Sequence, residues 1–144
     1  MRIVLDTSVI VSGLLSPHAS PAQIVAAWRE GRFVLLYNQE IYAEYADVLQ
    51  RSWIHERLRG APNRVADFLE AVRILGEEVV GFVSVHGEIR DPFDEMFLRC
   101  AQLGKADYLV SADKDLLSLG AFKNTLILSP GDFVGVLPAA DTKG

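Results

Sequence analysis

Short runs of apolar residues alternate along the chain with longer segments whose apolar positions recur at helical spacing. The short runs cover residues 2–5, 33–37, 108–111 and 125–128, and they are rich in branched and aromatic side chains. A less regular run at residues 78–83 is interrupted by Gly81. Runs of this length and composition predict buried β-strands, with the run at 78–83 as the least regular of them.

The longer segments predict helices, because apolar residues lie three and four positions apart and capping residues precede them. Helices are expected over residues 7–16, 20–30, 38–50, 53–58, 63–75, 91–104, 113–119 and 130–137. Ser20 is expected to cap the second helix, with Pro21 at its first position, and Asn38 to cap the third. Strands that alternate with helices predict an α/β fold: a single-domain α/β/α sandwich with a mostly parallel central sheet.

The length and composition fit one domain. The chain has 144 residues, of which 50% are hydrophobic, so a sizeable core can be buried. We expect this domain to cover residues 1–137 and residues 138–144 to form a flexible tail. No apolar run approaches the roughly 18–20 residues that a membrane span needs. The single cysteine, Cys100, cannot form an intrachain disulfide, and a cytoplasmic location is expected.

The net charge of −5 does not decide whether the chain binds nucleic acid. Proteins that bind nucleic acid usually carry a basic patch, which argues against such a partner. Bound cations, however, change the sign of the local field, and arginines are concentrated in the first half of the chain. They are Arg29, Arg32, Arg51, Arg57, Arg59, Arg64 and Arg73. These arginines also fit a solvated helix surface, so charge leaves the question open.

Four acidic residues follow or approach the carboxyl ends of predicted strands, where α/β sheets bind ligands. Asp6 directly follows the first strand, and Asp113 lies two residues beyond the strand at 108–111. Glu44 falls in the second turn of the helix after the second strand, and Asp94 in the first turn of another helix. The sequence therefore predicts that these carboxylates meet at one edge of the fold.

A cluster of carboxylates indicates a bound divalent cation. Two unit charges about 4 Å apart repel by about 4 kcal/mol at an effective dielectric near 20. Mg²⁺ and Mn²⁺ prefer carboxylate and water oxygens, and the three histidines lack the spacing of a zinc site. Taken singly, Asp6 also fits a turn, Glu44 a solvated helix, and Asp94 a helix-dipole partner. Asp91 fits best as an N-cap outside the metal site.

Three ordered stretches carry family motifs: IVLDTSVIVSGLL, EIYAEYADVL and RDPFDEMFLRCAQLGKADYLVSADKDLLSLG. In these stretches the chain resembles the PIN-domain family, particularly the small toxin nucleases of bacterial and archaeal toxin–antitoxin pairs. The resemblance extends from the first strand to about Asp132. Ser8 and Asn38 depart from the residues that many members carry at these positions, but neither departure removes an acid.

The resemblance implies a metal-dependent endoribonuclease that uses a metal-activated water and leaves a 5′-phosphate and a 3′-hydroxyl. The implied catalytic residues are Asp6, Glu44, Asp94 and Asp113, and the implied ligands of Mg²⁺ or Mn²⁺ are Asp6, Asp94, Asp113 and Asp115. Asp115 also fits a simple helix-start acid. Ser111 is implied as a supporting hydroxyl, and we expect it, with Thr7, to orient the carboxylates through hydrogen bonds.

The partners implied by the resemblance are an RNA substrate, an antitoxin protein that covers the cleft, and a second copy of the chain. Tyr42, Tyr45, Trp53 and Ile54 fit either such a dimer surface or the domain's own core. Two other functions stay open. A phosphatase of the haloacid-dehalogenase type would need a second acid at Ser8, and a catalytically silent PIN-like binding module would be expected to lack one of the acids.

Overall fold

A six-stranded, mostly parallel sheet forms the centre of the protein. A computed structural model describes residues 1–139. The strands are β1 (Arg2–Leu5), β2 (Val34–Tyr37), β3 (Glu77–Glu78), β4 (Tyr108–Val110), β5 (Ala121–Phe122) and β6 (Thr125–Leu128). They lie in the order β3-β2-β1-β4-β6-β5, and every neighbouring pair is parallel except β5 and β6. The predicted sheet is confirmed.

Within residues 1–139, eight α-helices connect and cover these strands. They are α1 (Thr7–Leu15), α2 (Ser20–Arg29), α3 (Gln39–Leu49), α4 (Ser52–Arg57), α5 (Arg64–Leu75), α6 (Glu95–Gly104), α7 (Lys114–Leu119) and α8 (Pro130–Val134). A 3-10 turn, Pro92–Asp94, leads into α6. Helix α6 packs on β1 and β2, and α5 packs on β2. The alternation of strands and helices confirms the predicted α/β fold.

The core lies around β1 and is closed by aromatic residues. Ile3, Val4 and Leu5 are fully buried. The Tyr45 hydroxyl donates a hydrogen bond to the Leu5 carbonyl, which ties α3 to β1. Burial of apolar surface stabilises such a core by about 25 cal/mol per Å². The central position of β1 in the sheet therefore fixes the place of its carboxyl end and of Asp6, the residue that follows it.

The apolar residues considered for a dimer surface divide between core and surface. Tyr45 and Ile54 are fully buried, so their burial belongs to the domain's own core. Tyr42 is half-buried and stacks under the Arg73 guanidinium at 4.7 Å. Trp53 remains 47% exposed. Of the four, Trp53 alone keeps a largely free side chain.

Three details differ from the sequence-based prediction. The strand expected at 78–83 ends at Glu78, because its partner β2 ends at Tyr37 and offers no further residues for pairing. Strand β5 was not predicted, since two residues are too few for a period-2 pattern. Ser20 lies inside α2 and does not cap it. The N-cap position is Ala19, without a side-chain hydrogen bond.

The C-terminal prediction is only partly covered by the described residues. Helix α8 ends at Val134, three residues before the predicted end at Leu137, and residues 137–139 have no regular structure. Residues 140–144, most of the predicted tail, lie outside the described part. Among residues 1–139, no single helix is long and apolar enough to cross a membrane, and the bent pair α1 and α2 reaches the required length and composition together.

Candidate active site

A cavity of about 390 Å³ lies at the carboxyl ends of β1 and β4. Its lining includes Asp6, Glu44, Asp94 and Asp113. These residues come from four different parts of the sequence, and the parallel topology brings them together. The cavity lies where α/β sheets bind their ligands. The catalytic and metal-binding roles of these four acidic residues stay predictions.

Asp6 is held in place by donors on both of its oxygens. Oδ1 accepts hydrogen bonds from the Val9 N–H at 3.2 Å and the Ser8 hydroxyl at 2.5 Å, so Asp6 is the N-cap of α1. Oδ2 accepts a hydrogen bond from the Ser111 hydroxyl. Burial raises the pKa of Asp6, and the hydrogen bonds from Ser111, Ser8 and Val9 act in the opposite direction. The carboxylate is oriented but already well hydrogen-bonded.

Ser111 connects the ends of β1 and β4. Its hydroxyl donates to Asp6 and accepts from the Asp113 N–H at 2.8 Å. Asp113 in turn caps α7 by accepting the Asp115 N–H at 2.7 Å. A single fully buried hydroxyl therefore fixes the relative position of two acids from distant parts of the chain. This contact agrees with the supporting hydrogen bond expected of Ser111.

Asp94 is buried, and one of its carboxylate oxygens lacks a hydrogen-bond partner among residues 1–139. It is 8% exposed, and the oxygen in question is Oδ2. Burial, followed by the negative charges of Asp113 and Asp91, raises the pKa of Asp94 to about 7. A buried carboxylate without a donor is costly unless a cation or a proton neutralises it. Asp91 accepts the Phe93 N–H at 3.0 Å and caps the turn, as expected.

Asp94, Asp113 and Asp115 form a group suited to one metal ion. A carboxylate oxygen of each lies within 4.8 Å of the others. Oxygens on opposite sides of a Mg²⁺ ion are about 4 Å apart, so small side-chain rotations would close the group around such an ion. Asp6 lines the same cavity but is not part of this group, and its oxygens accept hydrogen bonds from Ser8, Val9 and Ser111.

No basic side chain neutralises the acids within the described part of the chain. The ion pairs among residues 1–139 involve none of Asp6, Glu44, Asp94, Asp113 and Asp115. Hard carboxylate oxygens, one of them partnerless, match the ligand preference of Mg²⁺ and Mn²⁺. The residues present therefore fit a divalent cation.

Glu44 reaches the cavity from α3, which Asn38 anchors. The Asn38 Oδ1 accepts the Ile41 N–H at 2.8 Å and caps the helix. Its Nδ2 donates to the Met96 carbonyl at 3.3 Å and so joins α3 to α6. Asn38 thus positions the helix that carries Glu44.

Two side chains behave differently from the expectation. The Thr7 hydroxyl is buried without a hydrogen-bond partner among residues 1–139, so it does not orient a carboxylate. Ser8 takes that part instead, by donating to Asp6. The signal for Ser8 was its place two residues after a helix-capping aspartate. Helical spacing over residues 91–104 predicts Phe93 on the apolar face of that helix, with Met96 and Phe97, yet Phe93 is 72% exposed and lines the cavity.

The fold and the cavity define a parallel α/β domain with an acidic site suited to hard metal ions. The family model described as PIN domain matches residues 2–115, which is most of the chain and includes every predicted site residue. The chain belongs to the PIN-domain family.

Comparison with solved structures supports the same fold. One chain of the crystal structure of VapBC2 from Rickettsia felis, bound to a DNA fragment from their promoter, is similar with a TM-score of 0.58. The match covers 90% of this chain and 98% of that chain, at 14% sequence identity. Among curated proteins, none matches the sequence. The likeness at this identity establishes the fold.

Proposed function

We propose that the chain is a metal-dependent endoribonuclease and the toxin of a toxin–antitoxin pair. The PIN-domain family consists generally of nucleases. The observation that carries the proposal is the buried, partnerless carboxylate of Asp94 beside Asp113 and Asp115. A cation would neutralise such a site, and a divalent cation beside free acids suits hydrolysis of a phosphodiester.

Asp94, Asp113 and Asp115 would hold a Mg²⁺ or Mn²⁺ ion, and Asp6 lines the same cavity. When bound, the ion lowers the pKa of a coordinated water and offsets negative charge on the scissile phosphate. The protein's own contribution is a rigid frame, since Ser111 fixes Asp6 and Asp113 with a single hydroxyl. A frame held by buried hydrogen bonds keeps the acids oriented before RNA arrives.

Glu44 is proposed to accept a proton from the attacking water at a carboxylate oxygen. It is half-buried, lines the cavity and takes part in no ion pair within the described residues. A carboxylate within reach of a water can act as a general base, and such a group contributes roughly 10²–10⁴-fold to a rate. Asn38 holds the helix that presents it.

The test is cleavage of labelled RNA by the purified protein in Mg²⁺. We expect products with a 5′-phosphate and a 3′-hydroxyl, no cleavage in excess EDTA, and a loss of at least about 100-fold for Asp113→Asn. Asp47→Asn is the matched control, because Asp47 is exposed on α3 outside the cavity, and it should cleave normally. A labelled DNA of the same sequence compares the two substrates.

Cleavage that continues in EDTA, or full activity of Asp113→Asn, would contradict the proposal. A correctly folded protein that cleaves neither RNA nor DNA would instead indicate a catalytically silent binding module. The retained acids argue against that alternative. The haloacid-dehalogenase reading is set aside by membership of the PIN-domain family and by Ser8, whose hydroxyl is a donor to Asp6.

The proposed protein partner is an antitoxin that covers the acidic cavity with a basic side chain. The similar chain comes from a structure of VapBC2, and this likeness supports the proposal. A cationic side chain would neutralise the same carboxylates that otherwise hold the metal ion. We also propose a homodimer or higher homo-oligomer and a cytoplasmic location. Co-purification with a co-expressed antitoxin, and sedimentation of the free protein, test the first two.

A further inference from the structure

An exposed aromatic ring stands beside the acidic cavity. Phe93 lines the cavity that contains Asp94 and Asp113, and it is 72% exposed. Its backbone is fixed, since the Phe93 N–H donates to Asp91 Oδ1 at 3.0 Å and Pro92 restricts the preceding dihedral angle. The backbone of Phe93 is therefore fixed next to the proposed reactive centre, and most of the surface of its ring is in water.

The face of this ring is free within the described part of the chain. Phe82 is equally exposed, at 73%, but the Arg99 guanidinium lies 4.8 Å from its ring. Phe93 has no aromatic or cationic partner of this kind among residues 1–139. The two rings therefore differ in their faces: that of Phe82 is covered by a guanidinium, and that of Phe93 is available to a ligand.

We infer that Phe93 is a positioning residue that stacks on a nucleobase beside the scissile phosphate. The inference rests on the proposed function, which places a phosphate of RNA at the acids. Every nucleobase has a flat π-face, and a ring beside the phosphate site can stack on the base of a flanking nucleotide. Bases inside a duplex have both faces covered by their neighbours, so the ring selects an unpaired nucleotide.

The position of Phe93 in the turn explains how the ring reaches the site. Asp94, the next residue, points its carboxylate into the cavity. Phe93 lies in the 3-10 turn and is 72% exposed, whereas Phe97, one turn further along in α6, is buried. The ring and the proposed metal ligand are thereby presented together. Stacking on Phe93 would set the register of the RNA relative to that ligand.

The first experiment measures binding without turnover. A fluorescein-labelled single-stranded RNA is titrated in Ca²⁺, which takes the same oxygen ligands as Mg²⁺, and a gel verifies that the RNA stays intact. Phe93→Ala should weaken binding about tenfold, because loss of one base–aromatic stack costs about 1–3 kcal/mol and 1.4 kcal/mol is tenfold. Phe93→Trp should retain or improve the affinity.

The matched control is Phe82→Ala, which removes a ring of the same exposure away from the cavity. It should leave the affinity for RNA unchanged. In Mg²⁺, Phe93→Ala should raise KM by a larger factor than it lowers kcat, since the metal ligands stay in place. An RNA with one abasic nucleotide, moved along the strand, should identify the stacked position: there the wild-type protein loses affinity and Phe93→Ala loses none further.

Equal affinity of Phe93→Ala and wild type for single-stranded RNA would overturn the inference. Equal loss in Phe93→Ala and Phe82→Ala would overturn it too, because a general effect of surface change would then be enough. Failure of the proposed function is separable. A wild type that binds RNA but never cleaves it removes the nuclease proposal, while the binding comparison still decides the role of Phe93.

Discussion

The carboxylates that share the cavity differ in the hydrogen bonds that they accept. Asp6 accepts three hydrogen bonds, whereas Asp94 Oδ2 accepts none within the described residues. A well-bonded carboxylate has fewer free lone pairs for a metal ion, and a buried partnerless one must be neutralised by a cation or a proton. In the proposed site we therefore expect Asp94 to gain more from a bound cation than Asp6.

The raised pKa of Asp94 makes the metal-free protein less stable as the pH rises. The folded chain holds this proton up to about pH 7, whereas the usual pKa, reached on unfolding, is 3.8. The stability that this proton contributes is complete below about pH 4 and lost as the pH rises through about 7. In EDTA, Asp94→Asn should raise Tm by several degrees at pH 8 and by much less at pH 5, measured by calorimetry.

The amide of Asn resembles the protonated acid, which explains the expected direction. Asp47→Asn, at an exposed position, serves as the control and should show the same small change at both pH values. An increase in Tm for Asp94→Asn that is independent of pH would show that titration of this carboxyl does not limit stability.

At the scale of elements, α3 connects the second strand to the site. Asn38 caps the helix through the Ile41 N–H and binds the Met96 carbonyl on α6. Glu44, in the second turn of this helix, lines the cavity. One side chain therefore sets both the start of the helix and its distance from α6.

Asn38→Ala should lower the free energy of unfolding by about 1 kcal/mol, which is typical of a lost helix cap. It should also reduce RNA cleavage, because α3 would shift away from α6. Urea unfolding and the cleavage assay measure the two effects. Asn63→Ala is the matched control: Asn63 precedes α5 but makes no side-chain cap, so both quantities should stay near wild type. Equal loss in both variants would refute the role given to Asn38.

Elements with a clear hydrophobic period could be predicted from the sequence, and those that depend on tertiary contacts could not. The strands β1, β2, β4 and β6 follow from their apolar runs. Strand β3 is shorter than predicted because its partner β2 ends at Tyr37, and the apolar pattern does not show which strands pair. Helical spacing predicts Phe93 on an apolar face, whereas the residue lies in a 3-10 turn and is exposed.

The whole molecule carries a net charge of −5, and part of this charge is concentrated in one cavity. Binding of a divalent ion to the folded state alone stabilises that state by about 2.7 kcal/mol at 100 times Kd. Addition of MgCl₂ should therefore raise Tm of the wild-type protein by several degrees. The double variant Asp113→Asn/Asp115→Asn should lose this response, measured by thermal melts in EDTA and in Mg²⁺.

Asp47→Asn/Asp132→Asn removes the same amount of charge at two exposed positions and is the matched control. It should keep the response to Mg²⁺. NaCl at the same ionic strength distinguishes specific binding from screening. A Tm that rises equally with NaCl, or equally in both double variants, would contradict a metal site at Asp113 and Asp115.

The convergence of the acids could be predicted because parallel strands bring their carboxyl ends to one edge. Asp6, Glu44, Asp94 and Asp113 do line one cavity. The differences in hydrogen bonding among these acids could not be predicted. The contacts of Ser8 and Ser111 with Asp6 depend on packing in three dimensions, and the sequence does not show which carboxylate oxygens accept hydrogen bonds.

The edge strands of the sheet, β3 and β5, are very short, with two residues each. An exposed edge strand offers unpaired N–H and C=O groups with which a strand of another polypeptide can pair, and very short edge strands limit this pairing. The longer, hydrophobic strands β1, β2, β4 and β6 are shielded on both sides by a neighbour. The architecture therefore guards against amyloid-like self-association of folded copies.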